Sequence, residues 1–226
     1  MQTRSTWKNL DKLYPYILLF TVSVVAAAAR ESFFLFTVTF SGLLCVILAA
    51  RGNIGTYPVG LYNCVAYAYV AYTNGLYGEM GLNLLFFVPT SIAGWFLWKN
   101  KMKDRVVLMR RMSATKRVGL FVACAVCTVG LGLALSLIDT QKTPYIDALT
   151  NVLSIAATFL MMYRFQEQWF LYISLNVFTV LMWSIRWFQG SPEGRMMVLM
   201  WALYLVNSFY GAVKWHLGAQ KNRDLL

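Results

Sequence analysis

The chain has 226 residues, 59% hydrophobic and 13% charged, with a mean hydropathy of +0.56 and a net charge of +11. That composition excludes an ordinary soluble domain, and the apolar runs are continuous rather than alternating, which points to membrane helices and away from a β-barrel. The basic residues lie between the apolar runs, where membrane topology accounts for them better than nucleic acid would.

The first apolar run, 13–29, follows Arg4, Lys8 and Lys12 and ends in alanines. A cleavable leader has that form, and so has a peripheral, lipid-facing helix, the reading favoured by its lack of a polar stripe. Runs at 33–50, 54–73 and 80–98 come next. In the basic segment 100–117 the spacing of Met102, Val106, Met109 and Met112 predicts one apolar face of a short helix lying on anionic lipid, with a solvated loop as the other reading. Runs at 118–138, 145–163, 169–188 and 196–215 bring the number of expected helices to eight. The clearest is 169–188, a run of 20 with one charge, Arg186; at about 1.5 Å per residue it spans about 30 Å, the thickness of a bilayer's hydrocarbon core. With the amino terminus inside, 16 of the 20 basic residues fall on the cytoplasmic side and four, Arg30, Lys142, Arg186 and Arg195, fall outside, so both termini are expected in the cytoplasm.

Cys45, Cys64, Cys124 and Cys127 all lie inside apolar runs, and the C-x-x-C at 124–127 has no second pair and no nearby histidine, so packing is expected rather than a disulfide or a metal site. His216 is the single histidine and sits past an apolar run, which leaves little for nucleophilic catalysis.

Residues 33–98 and 145–215 resemble each other. At a spacing of 113, Ser41 matches Ser154, Arg51 matches Arg164 and Asn63 matches Asn176; after a four-residue insertion the spacing becomes 117, and Gly94 and Trp98 match Gly211 and Trp215. Three helices end on the side opposite to their start, so a parallel copy needs one helix between. The run 118–138, with Gly119, Ala123, Gly130, Gly132 and no charge, fits that linker. The expected fold class is an all-α integral membrane protein with eight transmembrane helices, one extra N-terminal helix plus a 3+1+3 parallel repeat, a pattern of transporters. Its expected divisions are 1–30, tail and extra helix; 31–98, first three-helix unit; 99–143, basic cytoplasmic loop and linker helix; and 144–226, second unit and tail.

Polar residues mark one face of several helices. Tyr172, Asn176, Thr179 and Trp183 recur at spacings of four, three and four, as do Asp147, Asn151, Ser154 and Thr158. Asn63 lies near the middle of its run; Asn83, Phe87 and Thr90 lie on the next; Trp201, Tyr204, Asn207 and Gly211 share a broad face of the last. An amide in hydrocarbon is costly unless something meets it, so these faces turn to protein or to a cavity. Helix pairing explains any one of them. Stripes in both units are better explained by a central polar and aromatic cavity, with Asn63, Tyr204 and Asn207 near mid-membrane and Trp183, Asn83 and Asn151 in the outer half. Trp95, Trp98 and Trp215 fall at the cytoplasmic boundary and read as interfacial anchors. Glu31, Glu79 and Asp147 lie near helix ends, so no carboxylate is placed to couple an ion, and facilitated diffusion is expected. A carboxyl-free aromatic cavity suits a flat ring, and takes a delocalised cation through ring faces.

The segments YPVGLYNCVAYAYVAYTNGLYGEMGLNLLFFVPTSIAGWFLW (57–98, with W-x-x-W at Trp95 and Trp98) and DALTNVLSIAATFLMMYRFQEQWFLYISLNVFTV (147–180) resemble the PnuC family of bacterial nicotinamide riboside transporters. The resemblance covers 33–215. It implies a SWEET-like fold and a vitamin uniporter of the bacterial inner membrane, whose substrate is trapped by phosphorylation in the cytoplasm. Related members carry thiamine or riboflavin, which stay as alternatives, as does a seven-helix receptor-like sensor; a membrane enzyme has no catalytic set to work with. Sugar-carrying SWEET relatives hinge on helix prolines, whereas here Pro58 and Pro144 start helices and Pro89 is internal with Val206 at its repeat position, which places a hinge near 85–89.

The candidate substrate-binding residues are Trp183, for the ring face, and Asn207, for a carboxamide, with Tyr204, Asn83, Asn176, Asn63, Asn151, Thr179 and Phe87 around them. No cofactor, metal or nucleic acid is expected; the partners are the small-molecule substrate and membrane lipid, with a homo-oligomer left open.

Overall fold

The computed structural model describes residues 2–28, 30, 32–73, 77–103, 105–137, 144–190 and 194–222. Among the charges counted above, Glu31 and Lys142 lie outside the described residues, as do the side chains of Arg4, Lys8, Glu79, Arg186 and Arg195. In chain order the elements are α1 (Gln2–Ala28), α2 (Phe33–Ala50), α3 (Thr56–Thr73), α4 (Tyr77–Leu82), a π-helical turn (Asn83–Phe87), α5 (Val88–Lys99), the two-residue strands β1 (Met102–Lys103) and β2 (Val106–Val107), α6 (Ala114–Ser136), α7 (Pro144–Met162), α8 (Gln168–Phe188) and α9 (Gly194–Lys221). Seven helical stretches among the described residues are long and apolar enough to cross a membrane, which makes this a multi-pass helical membrane protein. The α3 helix is not among them, because Asn63 and its tyrosines lower its hydropathy. The chain divides into two compact units, 1–100 and 101–226.

In the first unit, α2 begins at Ser32, whose hydroxyl accepts the Leu35 N–H and so satisfies one of the donors a helix start leaves open. Leu43, Ile47 and Ala50 of α2 are buried at its core. The α1 helix contributes a buried stripe, Leu18, Val22 and Ala26, while Tyr16, Ile17 and Phe20 stay exposed, as a peripheral span should. The Arg51 guanidinium at the end of α2 donates to the Asp11 carbonyl of α1.

The turn from α2 to α3 has a counterpart in the turn from α7 to α8. Arg51 N donates to Ile47 O, Gly52 N to Ala49 O, Asn53 N to Leu48 O, Thr56 N to Asn53 O and Tyr57 N to Ile54 O; each bond recurs 112 residues on, at Tyr163, Arg164, Phe165, Gln168 and Trp169. The left-handed residue that ends the helix is Gly52 (φ 65°) in the first turn and Arg164 (φ 66°) in the second. Shared identity pairs Arg51 with Arg164, but backbone geometry pairs Gly52 with Arg164, one residue away. Because α3 and α8 both continue as regular α-helix, that single residue turns Asn63 and Asn176 about 100° apart around their axes.

Each unit also closes on an aromatic ring laid over a glycine. A Cβ at Gly94 would overlap the Tyr57 ring, and one at Gly211 would overlap the Trp169 indole. Trp98 then meets Tyr57 edge-on at 5.0 Å between centroids, and Trp215 meets Trp169 at 6.3 Å. Trp98 and Trp215 are both 0% exposed, so neither is the interfacial anchor that its place near a helix end suggests; the glycine one turn earlier opens the space that draws the indole inward.

The third helix of the first unit is broken. Val88 N donates to Asn83 O, a bond over five residues, and Pro89 has no N–H for the Leu85 carbonyl. The Thr90 hydroxyl bridges to the carbonyls of Phe86 (2.8 Å) and Phe87 (3.1 Å). The hinge expected near 85–89 thus falls on a π-helical turn. In the second unit α9 runs as α-helix from Gly194 to Lys221.

Segment 100–113 is not a lipid-lying helix. It forms a β-hairpin pairing Met102 with Val107 and Lys103 with Val106, with Arg105 in the left-handed region (φ 63°) at the bend. The Met102–Val106–Met109–Met112 spacing mimics a helical face, but Val107 and Met109 are the buried residues, with Met109 sulfur against Gly218 of α9. In α6, Gly132 admits the Tyr145 ring, whereas Gly119 and Gly130 face open space.

Candidate functional site

The polar residues of the second unit meet where α8 packs on α9. The α8 stripe turns inward: Asn176 and Thr179 are 4% and 5% exposed, and Tyr172 and Trp183 are half-buried at its ends. On α9, Asn207 and Ser208 are 1% and 3% exposed, with Tyr204 and Trp201 half-buried one and two turns earlier. Asn176 Nδ2 donates to Ser208 Oγ (2.8 Å), and Ser208 Oγ donates to the Tyr204 carbonyl (2.9 Å). The structure therefore ties Asn176 of α8 to the Ser208 hydroxyl of α9 and, through it, to the Tyr204 backbone, with Asn207 buried on the same helix. Thr179, a turn along from Asn176, donates to the Leu175 carbonyl (2.8 Å).

Trp201 stands edge-on to Tyr204, with centroids 5.5 Å apart and planes at 82°. The sequence spacing places Trp201 on this face without giving it a ligand role. The structure adds that its indole N–H is buried with no hydrogen-bond partner among the described residues. A buried donor of that kind is costly unless a ligand or a water meets it.

Asn151 is not part of this meeting. Its amide donates to the Asp147 carbonyl within α7 (2.8 Å), and it is half-buried there. In the first unit Asn63 ties α3 to α2, donating to the Val38 carbonyl (2.7 Å) and to Ser41 Oγ (3.0 Å). The rotation of Asn63 against Asn176 explains the difference: one reaches back to the first helix of its unit, the other forward to the third. Asn83, 7% exposed, opens the π-helical turn, and Phe87 closes it, with its ring 5.1 Å from Phe86.

What α8 and α9 bury or half-bury along these stripes is polar but uncharged: two asparagines, two hydroxyls, two phenols and two indoles. Such a set can stack on a flat ring and exchange hydrogen bonds with an amide or a sugar hydroxyl. Among the described residues, this set has no cation to balance a dianion and no carboxylate to carry a proton.

Known transporters are similar to this chain in sequence and in fold. A family model described as nicotinamide mononucleotide transporter matches residues 32–217. A protein of Neisseria mucosa named nicotinamide riboside transporter PnuC is 33% identical to this chain, covering 92% of it and 81% of the relative. Its namesake in Haemophilus influenzae is 30% identical, covering 93% and 91%. Among solved structures, one titled as the crystal structure of the vitamin B3 transporter PnuC superposes with a TM-score of 0.78 at 30% identity, over 94% of this chain and 92% of that one.

Proposed function

The chain belongs to the nicotinamide mononucleotide transporter family, and we propose that it takes up nicotinamide riboside across the bacterial inner membrane by facilitated diffusion. The family description names the phosphorylated compound and the relatives' names the unphosphorylated one. The observation that favours the riboside is the neutrality of the buried polar set: Asn176, Thr179, Asn207 and Ser208 are all at most 5% exposed and none can carry a charge. A phosphate dianion moved into such surroundings would lose its hydration without gaining a cation, at a cost of several kcal/mol or more. The riboside presents a pyridinium, whose delocalised charge suits aromatic faces.

On this reading Trp183 stacks on the pyridinium and Asn207 pairs with its carboxamide, giving and accepting at once. Tyr204, Asn176 and Thr179 complete the α8–α9 wall; of the other candidates, Asn151 bonds within α7 and Asn63 bonds to α2. The Trp201 indole N–H joins them as a donor for the ribose. Transport needs no ion gradient because every carboxylate of the sequence lies near an end of its apolar span or in a loop. Phosphorylation in the cytoplasm gives the riboside the charge that this route rejects, and so traps it.

Eight spans in a 3+1+3 arrangement, with 31–98 and 144–226 as the repeated units, are supported by the recurring turn and by the two glycine–aromatic closures. The positive-inside count supports cytoplasmic termini. Calorimetric titration of the purified protein tests the substrate. Nicotinamide riboside should bind, and the mononucleotide, thiamine and riboflavin should bind far more weakly. Equal binding of the mononucleotide would overturn the charge argument, and a preference for thiamine or riboflavin would reassign the vitamin.

A further inference from the structure

The second unit holds a cavity that the transport reading does not use. Its volume is about 530 Å³, and it lies at one end of the unit, lined by Arg110, Arg111, Ser113, Gln166 and Gln220 among others. The start of α6, the α7–α8 turn and the end of α9 all meet there, so it sits where helices end and the membrane boundary begins.

Its arginines are held in place and are in excess. Arg110 N donates to the Arg164 carbonyl (2.7 Å) and Gln166 N to the Arg110 carbonyl (2.9 Å), which clips this segment to the turn, while the Arg110 guanidinium lies 4.9 Å from the Phe165 ring centroid. Glu167 is spent on Arg117 (3.0 Å) and on the Met112 N–H (3.1 Å). Arg164, 8% exposed, donates to the Leu108 carbonyl (3.0 Å); burial and then the neighbouring Arg110 charge hold its pKa below the usual arginine value. Among the described residues Arg117 holds the Glu167 carboxylate, and no acidic side chain pairs with Arg110 or Arg111.

A further feature points at an anion. Ser113 is the N-cap of α6, a helix of 23 residues, so the positive end of that helix faces the same space. Gln166 also lines the cavity and is 6% exposed. The volume is in the range of small-molecule sites, about 300 to 1,000 Å³, and more than a bare oxyanion requires.

We propose that this cavity binds the phosphate group of an organic phosphate ester, gripped by Arg110 and Arg111 with the Gln166 and Gln220 amides beside it. The ester is either the headgroup of an anionic lipid or a soluble cytoplasmic compound, and one experiment separates the sources. Purified full-length protein is offered dioleoylphosphatidylglycerol against dioleoylphosphatidylcholine, with retained lipid read by native mass spectrometry, and glycerol 3-phosphate by calorimetry in phosphate-free buffer. Selective retention of the glycerol lipid identifies a lipid site; calorimetric binding of glycerol 3-phosphate identifies a soluble one. In either case Arg110→Gln/Arg111→Gln should weaken binding about ten-fold or more, as expected for lost charge-assisted hydrogen bonds, and raised salt should weaken it further. Nicotinamide riboside affinity serves as the folding control and should not change. The exposed Arg111→Gln alone should lower affinity several-fold even where the double variant folds poorly. The proposal fails if the wild type binds neither probe, or if Arg111→Gln binds as tightly as the wild type.

Discussion

The α3–α5 region of the first unit and the α8–α9 region of the second are built on one plan and differ in two places. Both lay an aromatic ring over a glycine and bury a tryptophan beside it, Tyr57–Gly94–Trp98 and Trp169–Gly211–Trp215. In the first, however, the third helix passes through a π-helical turn before Pro89, and the asparagine of the second helix is spent on α2. In the second, the third helix is regular and the asparagine reaches α9, where it joins the buried amide and hydroxyl cluster. The shared closures are firm points. On the proposed reading, the first unit bends and the second contacts the substrate.

The largest effect should come from opening a closure. Trp98→Ala or Trp215→Ala removes a fully buried indole and should destabilise by about 3 to 5 kcal/mol, read as a large fall in the melting temperature of detergent-purified protein. Similar losses at both positions would support the equivalence of the two closures, and a neutral Trp98→Ala would break it. Next come the substrate contacts. Asn207→Leu should weaken nicotinamide riboside binding by about 1 to 3 kcal/mol, and Trp183→Ala by roughly 1 to 2 kcal/mol, with melting temperatures close to wild type. If both lose stability and keep affinity, these residues pack helices and the site lies elsewhere.

The sequence shows seven of its eight expected spans because hydropathy over some 20 residues is a strong signal, with α3 the exception, and it shows the inward stripe of α8 because spacing fixes which residues share a face. The partners on that face were not legible. Asn176 meets Ser208 and Asn63 meets Ser41 because the turn before each helix is set by backbone geometry, and the matching arginines at 51 and 164 conceal the one-residue difference. The hairpin at 102–107 was hidden for a related reason: its Met and Val residues repeat at helical spacing, while the glycine that receives Met109 lies more than a hundred residues away, at Gly218. Pro89 did mark the broken helix, since a missing N–H is a local property.

That difference in asparagine partners predicts a smaller effect. A double-mutant cycle between Asn176→Leu and Ser208→Ala should give a coupling of about 0.6 to 1.7 kcal/mol in stability, while Asn63→Leu with Ser91→Ala, the equivalent pair of the first unit, should give none. Coupling between Asn63 and Ser91 would contradict the rotation of Asn63 against Asn176. The smallest equilibrium effect belongs to Pro89→Ala. It returns an N–H to the Leu85 carbonyl, so it should leave riboside affinity unchanged while slowing uptake. An unaltered rate would remove the bend from the first unit's role.

Counterflow in proteoliposomes tests the central claim most directly. Vesicles carrying the purified protein and loaded with unlabelled nicotinamide riboside are diluted into labelled riboside with no ion gradient and an uncoupler present. The account predicts transient accumulation of label inside, and none when the internal compound is the mononucleotide. A requirement for a proton or sodium gradient, or equal counterflow against the mononucleotide, would contradict it.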